Sequence, residues 1–223
     1  MKKIVFSAIV LSTLLFAEAN AQANKTLASV NKETTIKAAR PVKGTVFNID
    51  PAQSTMAWNG KKVTGEHNGN VKISEGNIQV DGNKVVGGTV LMDMNSITNL
   101  DLTDKSYNQK LIDHLKSDDF FSTAKHPNAK FTISNITPIK GAKAGAANYT
   151  VNGNLTIKGI TNPVSFPANI NMQGNTVTAK SDAVTLDRTK WDIRYGSKSF
   201  FANIGDKAIY DDFTVQFNLV AKK

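Results

Sequence analysis

The sequence predicts an all-β domain: a closed antiparallel β-barrel of about eight strands with one inserted amphipathic helix. Apolar and polar residues alternate over most of the chain, Gly-Asn pairs separate neighbouring alternating segments, and one stretch repeats apolar residues at every fourth position. These features are typical of half-buried strands, tight hairpins and a surface helix. With 223 residues, of which 40% are hydrophobic and 20% charged, the chain can bury the core of one ordinary domain.

The N-terminal residues predict an exported protein. Two lysines precede an apolar run at residues 4–17, and the small-x-small sequence Ala19-Asn20-Ala21 follows it. We interpret residues 1–21 as a signal peptide, which places the protein in the periplasm if the source is a Gram-negative bacterium and otherwise outside the cell. Residues 22–44 are polar and without a sustained period, so we expect a flexible leader or linker before a domain at 45–223.

The strands are predicted from a period of two. At residues 149–157, every odd position is apolar or Gly and every even position is polar. This pattern is typical of a strand with one buried face, and it disfavours a parallel sheet, whose strands are apolar on both faces. We interpret Gly82-Asn83, Gly174-Asn175 and Glu75-Gly76-Asn77 as hairpin turns. The predicted strands lie near 46–50, 54–64, 69–74, 77–81, 84–94, 129–138, 147–158, 163–173, 176–186, 190–194 and 208–221.

Residues 103–117 interrupt the alternation and predict the helix. Tyr107, Leu111 and Leu115 recur at every fourth position, which indicates an amphipathic helix of about four turns. A second short turn is expected at 117–121. The helix lies in a long connection between strands, so it can cover one end of the barrel. Barrels of about eight strands either fill their interior or hold one small ligand, and the alternation leaves both outcomes open.

Composition excludes several classes of function. The chain has no cysteine, which excludes disulfides, thiolate metal sites and a cysteine nucleophile. Its three histidines lie in separate settings, and it has neither a Gly-x-Ser-x-Gly elbow nor a phosphate-binding loop, so we predict no catalysis, metal or cofactor. A net charge of +9 favours anionic partners, but no basic run exceeds two residues, which disfavours nucleic acid.

Three segments carry a resemblance to a known family. They are HLKSDDFF at 114–121 followed by HPNAKF at 126–131, YTVNGNLTIKGITNPV at 149–164, and LDRTKWDI at 186–193. In this order and spacing they resemble the YceI-like family of secreted lipid-binding proteins, over roughly residues 45–221. The resemblance implies a lipocalin-like barrel that holds a long apolar chain, such as an isoprenoid quinone or an isoprenyl phosphate, as its ligand.

Such a ligand requires an apolar cavity, because burial of its surface, worth about 25 cal/mol per Å², is its main source of affinity. The resemblance implies the cavity, and the alternation identifies inward-facing candidates for its lining. They are Trp58, Phe131, Ile133, Tyr149, Val151, Leu155, Phe166, Ile170, Met172, Trp191, Phe213 and Phe217. Taken singly, each of these residues is more typical of a filled core, and it is the resemblance that favours a cavity for the set as a whole.

Polar contacts for a headgroup are expected at the barrel mouth. The candidates are the basic residues nearest to aromatic strand segments: Lys62, His67, Arg188 and Arg194. A guanidinium can bind a phosphate with two parallel hydrogen bonds, although each of these residues taken singly is more typical of a solvated basic outer face. We expect Phe120-Phe121 to pack in the core. We expect Phe200-Phe201, in a loop, to plug a barrel end, with transient contact to a membrane surface as the alternative.

The sequence therefore favours an exported, non-catalytic carrier of an isoprenoid-like or other long-chain apolar lipid. Two alternatives stay open. One is a barrel with a filled interior that acts through its surface as an envelope stress or adhesion module, and the other, less supported, is an enzyme for lipophilic substrates. A dimer is also left open.

Overall fold

The computed structural model describes residues 44–223, which form ten strands, one α-helix and three short 3-10 turns. The predicted signal peptide, 1–21, and the predicted leader, 22–44, lie outside the described residues, apart from Gly44. The helix is α1 (Lys105–Lys116). The strands are β1 (Thr45–Ile49), β2 (Thr55–Lys62), β3 (Gly65–Asp81), β4 (Lys84–Asp93), β5 (Asn128–Pro138), β6 (Tyr149–Ile157), β7 (Ile160–Gln173), β8 (Thr176–Ser181), β9 (Val184–Asp187) and β10 (Ile209–Lys222).

Eight of these strands close into an antiparallel ring. The ring runs β10, β2, β3, β4, β5, β6, β7 and β8, and β8 pairs back with β10 through residues such as Ala179 and Leu219. β1 pairs with both β10 and β3. β9 pairs with residues 212–215 of β10, which precede the residues that pair with β8. The structure therefore confirms the predicted closed barrel of about eight strands with one helix.

The connections give the barrel two different ends, because successive antiparallel strands reverse direction. At one end lie the β3–β4 and β7–β8 turns, at Gly82-Asn83 and Gly174-Asn175, and the β5–β6 loop. We call this the hairpin end, and both predicted turns are confirmed there. At the other end, the helix end, lie α1 and the long connection from β9 to β10. Among residues 44–223, no helix is long and apolar enough to cross a bilayer.

The predicted helix is confirmed at its core and at both ends. Asp104 caps it, since its carboxylate accepts hydrogen bonds from the backbone N–H groups of Ser106 and Tyr107. Leu115 is buried against the barrel, as the fourfold spacing predicts. The chain then turns through 117–121, where Phe120 is buried and Phe121 packs against the core, as expected for both.

One predicted turn is wrong. Residues 75–77 lie within the continuous strand β3, where the register to β4 shifts between Ile73 and Glu75. Gly76 serves this irregularity: a Cβ there would lie 2.3 Å from the carbonyl oxygen of Thr89. The glycine therefore marks a close approach of two strands rather than a reversal of the chain.

Two strand predictions near the helix end are also corrected. The predicted strand 176–186 divides into β8 and β9, which pair with different parts of β10. The predicted strand 190–194 is absent. Arg188–Trp191 forms a 3-10 turn instead, because the Asp187 carboxylate accepts a hydrogen bond from the Thr189 backbone N–H and Asp192 ends the turn in the left-handed conformation.

Candidate ligand-binding cavity

The barrel encloses two apolar cavities that follow one another between its ends. The upper chamber, toward the hairpin end, has a volume of about 90 Å³, and the lower chamber, toward the helix end, about 140 Å³. Essentially all of the surface facing either chamber is apolar. The residues that line both chambers, which we call the waist, are Met56, Met92, Leu155, Leu186 and Val215.

Aromatic rings narrow the upper chamber without closing it. Phe166 lies 5.5 Å from the ring of Phe131 on one side and 5.5 Å from that of Phe217 on the other. Gly153 gives Phe131 its place against the wall, since a Cβ there would lie 2.3 Å from the Phe131 ring. The interior is thus neither a wide tunnel nor a filled core.

The lower chamber is covered by side chains of the helix end. Leu115 of α1 and Phe120 and Phe121 after it line this chamber. Trp58 stands in its wall, with the indole N–H donating a 3.1 Å hydrogen bond to the carbonyl of Thr98. The indole is therefore held by the loop that follows β4, with its polar atom satisfied.

A third cavity, of about 320 Å³, opens at the hairpin end, and we call it the mouth. It is lined by Asn83, Val85, Ile136, Asn148, Tyr149, Ile170, Asn171 and Met172. Val85, Ile136 and Ile170 also line the upper chamber. The three cavities therefore follow one another from solvent at the hairpin end to α1 at the other.

The predicted apolar residues divide among these cavities. The upper chamber is lined by Phe131, Ile133, Val151, Leu155, Phe166, Ile170 and Phe217. Trp58 and Phe213 line the lower chamber, and Tyr149 and Met172 line the mouth. Of the waist residues, only Leu155 is among the candidates predicted from the sequence. The other four also lie at inward positions of strands, where the alternation could have identified them.

Trp191 is a correction, because it lines none of these cavities. It lies in the 3-10 turn, only 1% exposed, and its indole N–H donates a 3.0 Å hydrogen bond to the carbonyl of Leu155. The ring is a buried wedge between the turn and β6. It is therefore a packing residue and not part of a ligand surface.

Arg188 is a second correction. It is 4% exposed, and its guanidinium donates to the carbonyls of Ile193, Ile209 and Tyr210 at 3.0–3.1 Å. Oδ1 of Asp211 lies 3.3 Å from Nη2 of Arg188. Burial lowers the pKa of Arg188, and the nearby carboxylate of Asp211 opposes that shift. Arg188 lies in the lining of the lower chamber, but its nitrogens donate to backbone carbonyls that join the segments of the helix end, so it does not form a headgroup site at a barrel mouth.

The other predicted headgroup residues also lie toward the helix end, apart from the mouth. His67 Nδ1 lies 2.7 Å from Asp101, and Arg194 donates to Asp192 at 2.5 Å. Lys62 is an exposed residue at the end of β2. Phe200 and Phe201 were expected to plug a barrel end, but their side chains are 45% and 48% exposed and line none of these cavities. Among residues 44–223, no group of three metal-ligating side chains comes together.

The comparisons with known proteins agree with this architecture. A model of the YceI-like domain family matches residues 47–221. A UPF0312 protein of Yersinia enterocolitica is 40% identical over 62 residues, 28% of this chain and 29% of the relative. Protein YceI of Escherichia coli is 37% identical over 62 residues, with the same shares covered. These alignments span less than a third of either relative.

Two solved structures share the fold. BcnA of Burkholderia cenocepacia has a TM-score of 0.58 and 27% identity, over 78% of this chain and 99% of BcnA. A polyisoprenoid binding domain from Saccharophagus degradans, implicated in plant cell wall breakdown, has a TM-score of 0.57 over 79% of this chain and 97% of that domain. Its identity is 14%, so this second likeness concerns the fold.

Proposed function

The chain belongs to the YceI-like domain family, and on that premise we propose that it is a non-catalytic binding protein for an isoprenoid-like or other long-chain apolar lipid. The observation that carries the proposal is the apolar surface of both chambers, which share lining residues with each other, while the upper chamber also shares lining residues with the mouth. A hydrocarbon chain is stabilised there by burial alone. An enzyme would need converging polar groups that face the ligand. Arg188 and Asp212 lie in the lining of the lower chamber, but almost none of the surface that faces the chamber is polar.

The volumes indicate how such a chain is accommodated. A cavity of about 150 Å³ holds a benzene molecule. The lower chamber, about 140 Å³, therefore has room for about one isoprene unit as it stands, and the upper chamber, about 90 Å³, must widen to hold one. A longer chain must displace the waist. Met56 and Met92 suit this role, because the unbranched thioether side chain adapts to new shapes at low cost.

Two further considerations support the proposal. The Saccharophagus degradans domain, which shares the fold, is described as polyisoprenoid binding. The predicted signal peptide would deliver this chain outside the cytoplasm, to the periplasm in a Gram-negative source. A carrier is useful in that location, since a free isoprenoid chain is poorly soluble in water.

The test is direct titration with farnesol, a fifteen-carbon isoprenoid alcohol, followed by native mass spectrometry and calorimetry. We expect saturable binding at one molecule per protein. Ala179→Phe places a ring in the upper chamber and should weaken binding at least tenfold. Thr178→Phe, the neighbour on the opposite face of β8, is the matched control and should bind like the parent protein.

A second measurement protects the test against misfolding of the variant. Affinity should increase from the ten-carbon geraniol to farnesol in the unmodified protein, as more apolar surface is buried. If farnesol does not bind, or if both phenylalanine variants bind it equally, the proposal is wrong. Action through the outer surface would then be favoured.

A further inference from the structure

The polar residues of the mouth are all uncharged. They are three asparagines, Asn83, Asn148 and Asn171, and one tyrosine, Tyr149. The remaining lining residues are apolar. A lipid whose chain occupies the upper chamber would place its polar end among these residues, because the mouth and the chamber share lining residues.

The polar groups of the mouth have different roles. The Asn148 side chain is committed to the barrel: its Nδ2 donates to the Ile170 carbonyl at 2.9 Å and its Oδ1 accepts from the Ile170 N–H at 2.8 Å. Within residues 44–223, neither the Tyr149 hydroxyl nor the side chain of Asn83 or Asn171 is engaged in a hydrogen bond. One phenol and two amides are therefore available, and together they can donate to and accept from a ligand.

These groups suit a neutral headgroup better than an anionic one. A carbonyl or a hydroxyl needs one or two hydrogen bonds to replace those it makes with water. A phosphate carries at least one full charge and needs cations or several convergent N–H donors when it is desolvated. The mouth lining contains no cation.

The charges around the mouth do not change this conclusion. Lys84 is exposed, does not line the mouth, and lies opposite Asp81 in the register of the β3–β4 hairpin. Lys140 and Lys143 are exposed on the β5–β6 loop and also lie outside the lining. Arg194 and Lys62 lie at the opposite end of the barrel.

From this arrangement we infer that the mouth selects lipids with an uncharged hydrogen-bonding head, such as an alcohol or a carbonyl compound, over phosphate-bearing lipids with the same chain. The inference rests on the proposed function and deepens it. Tyr149, Asn83 and Asn171 are the residues that would contact the head.

The experiment compares farnesol with farnesyl phosphate, which has the same chain, on the full protein. We expect farnesol to bind at least tenfold more tightly. Tyr149→Phe should weaken farnesol several-fold and leave the thermal midpoint unchanged. Tyr107→Phe, on the exposed face of α1, is the matched control and should have no effect.

A charge added at the mouth tests the preference in the opposite direction. Asn83→Lys should raise the affinity for farnesyl phosphate. The ratio of farnesol affinity to farnesyl phosphate affinity should therefore fall at least fivefold. The control Asn128→Lys adds the same charge at the helix end and should leave the ratio unchanged. Asn83 and Asn128 are both exposed, so neither lysine disturbs the core.

The outcomes separate the two proposals. If both lipids bind and the phosphate binds as tightly as the alcohol or more tightly, the inference is wrong and the carrier function stands. If neither lipid binds, the carrier function is wrong and the inference falls with it. An unchanged ratio in Asn83→Lys would also contradict the assignment of the head to this mouth.

Discussion

Asp101 illustrates how single polar residues build the wall of an apolar chamber. Its carboxylate accepts hydrogen bonds from the Asn68 N–H at 2.8 Å and the Asn99 side chain at 2.5 Å, and it lies 2.7 Å from His67. Burial raises the pKa of Asp101, but these hydrogen bonds outweigh burial and hold the pKa below its ordinary value. The bonds fix the loop whose Ile97 lines the lower chamber.

The stability of the protein should therefore depend on the ionisation of Asp101. Its pKa is lower in the folded state than in the unfolded state, so its contribution is present above the unfolded value of about 3.9 and is lost as the pH falls through the folded value. We expect Asp101→Asn to lower the free energy of unfolding by about 1–2 kcal/mol at pH 7. The difference from the parent protein should shrink at pH 3.

Urea unfolding at the two pH values measures this effect. Asp182→Asn, in the exposed break between β8 and β9, is the control and should change little at either pH. If Asp101→Asn lowers the free energy of unfolding by the same amount at pH 7 and pH 3, the ionisation of Asp101 does not contribute to stability.

At the scale of elements, local patterns identified strands and turns but not how far each strand continues. The Gly-Asn turns after β3 and β7 are real hairpins. The similar signal at Gly76 is not, because the glycine there accommodates a carbonyl of the neighbouring β4. Whether a glycine turns the chain or admits another strand depends on residues that are distant in sequence. The same holds for β8 and β9, which separate because different parts of β10 pair with them.

The waist gives a prediction at this scale. Met92 of β4 lines both chambers, whereas Met94 lines only the lower one. Met92→Ala should join the chambers and favour long chains, so the affinity for the twenty-carbon geranylgeraniol should rise relative to geraniol. The variant should also lose about 2–5 kcal/mol of stability, as is usual when a buried methionine is truncated.

Met94→Ala is the control for this prediction. It removes an equal volume from the lower chamber without opening the waist, so the relative affinity for the long alcohol should stay close to that of the parent. The relative affinities come from calorimetric titration. Equal changes in the two variants would refute the assignment of Met92 to a constriction.

At the scale of the whole molecule, the two ends of the barrel differ in structure: one is open and the other is closed by side chains. The hairpin end carries the open, uncharged mouth. The helix end is closed by packing, including His114, whose ring lies 4.9 Å from Phe120 and 4.5 Å from Tyr195. Arg188 adds hydrogen bonds to three carbonyls there.

Closure of the helix end should therefore affect stability and leave the headgroup preference alone. Arg188→Met keeps most of the side-chain volume but removes the donor to the carbonyls of Ile193, Ile209 and Tyr210 and the ion-pair partner of Asp211, which should cost about 3–5 kcal/mol. The exposed Arg194→Met should change stability by less than about 0.5 kcal/mol. In both variants the ratio of farnesol to farnesyl phosphate affinity should match that of the parent protein, measured below the thermal midpoint. A changed ratio in Arg188→Met would place the headgroup at the helix end.

Sequence patterns predicted the barrel wall, the helix and most of the inward-facing residues, because side-chain direction repeats every two residues in a strand and about every 3.6 in a helix. The tertiary structure decided which inward side chains leave space and which end opens. Trp191 illustrates this: its position depends on the carbonyl of Leu155, 36 residues away. Arg188 is another such case, because its partners come from two segments that meet only in the folded chain. Cavities and charge pairs are formed by residues distant in sequence, so the spacing of apolar residues along one strand or helix cannot predict them.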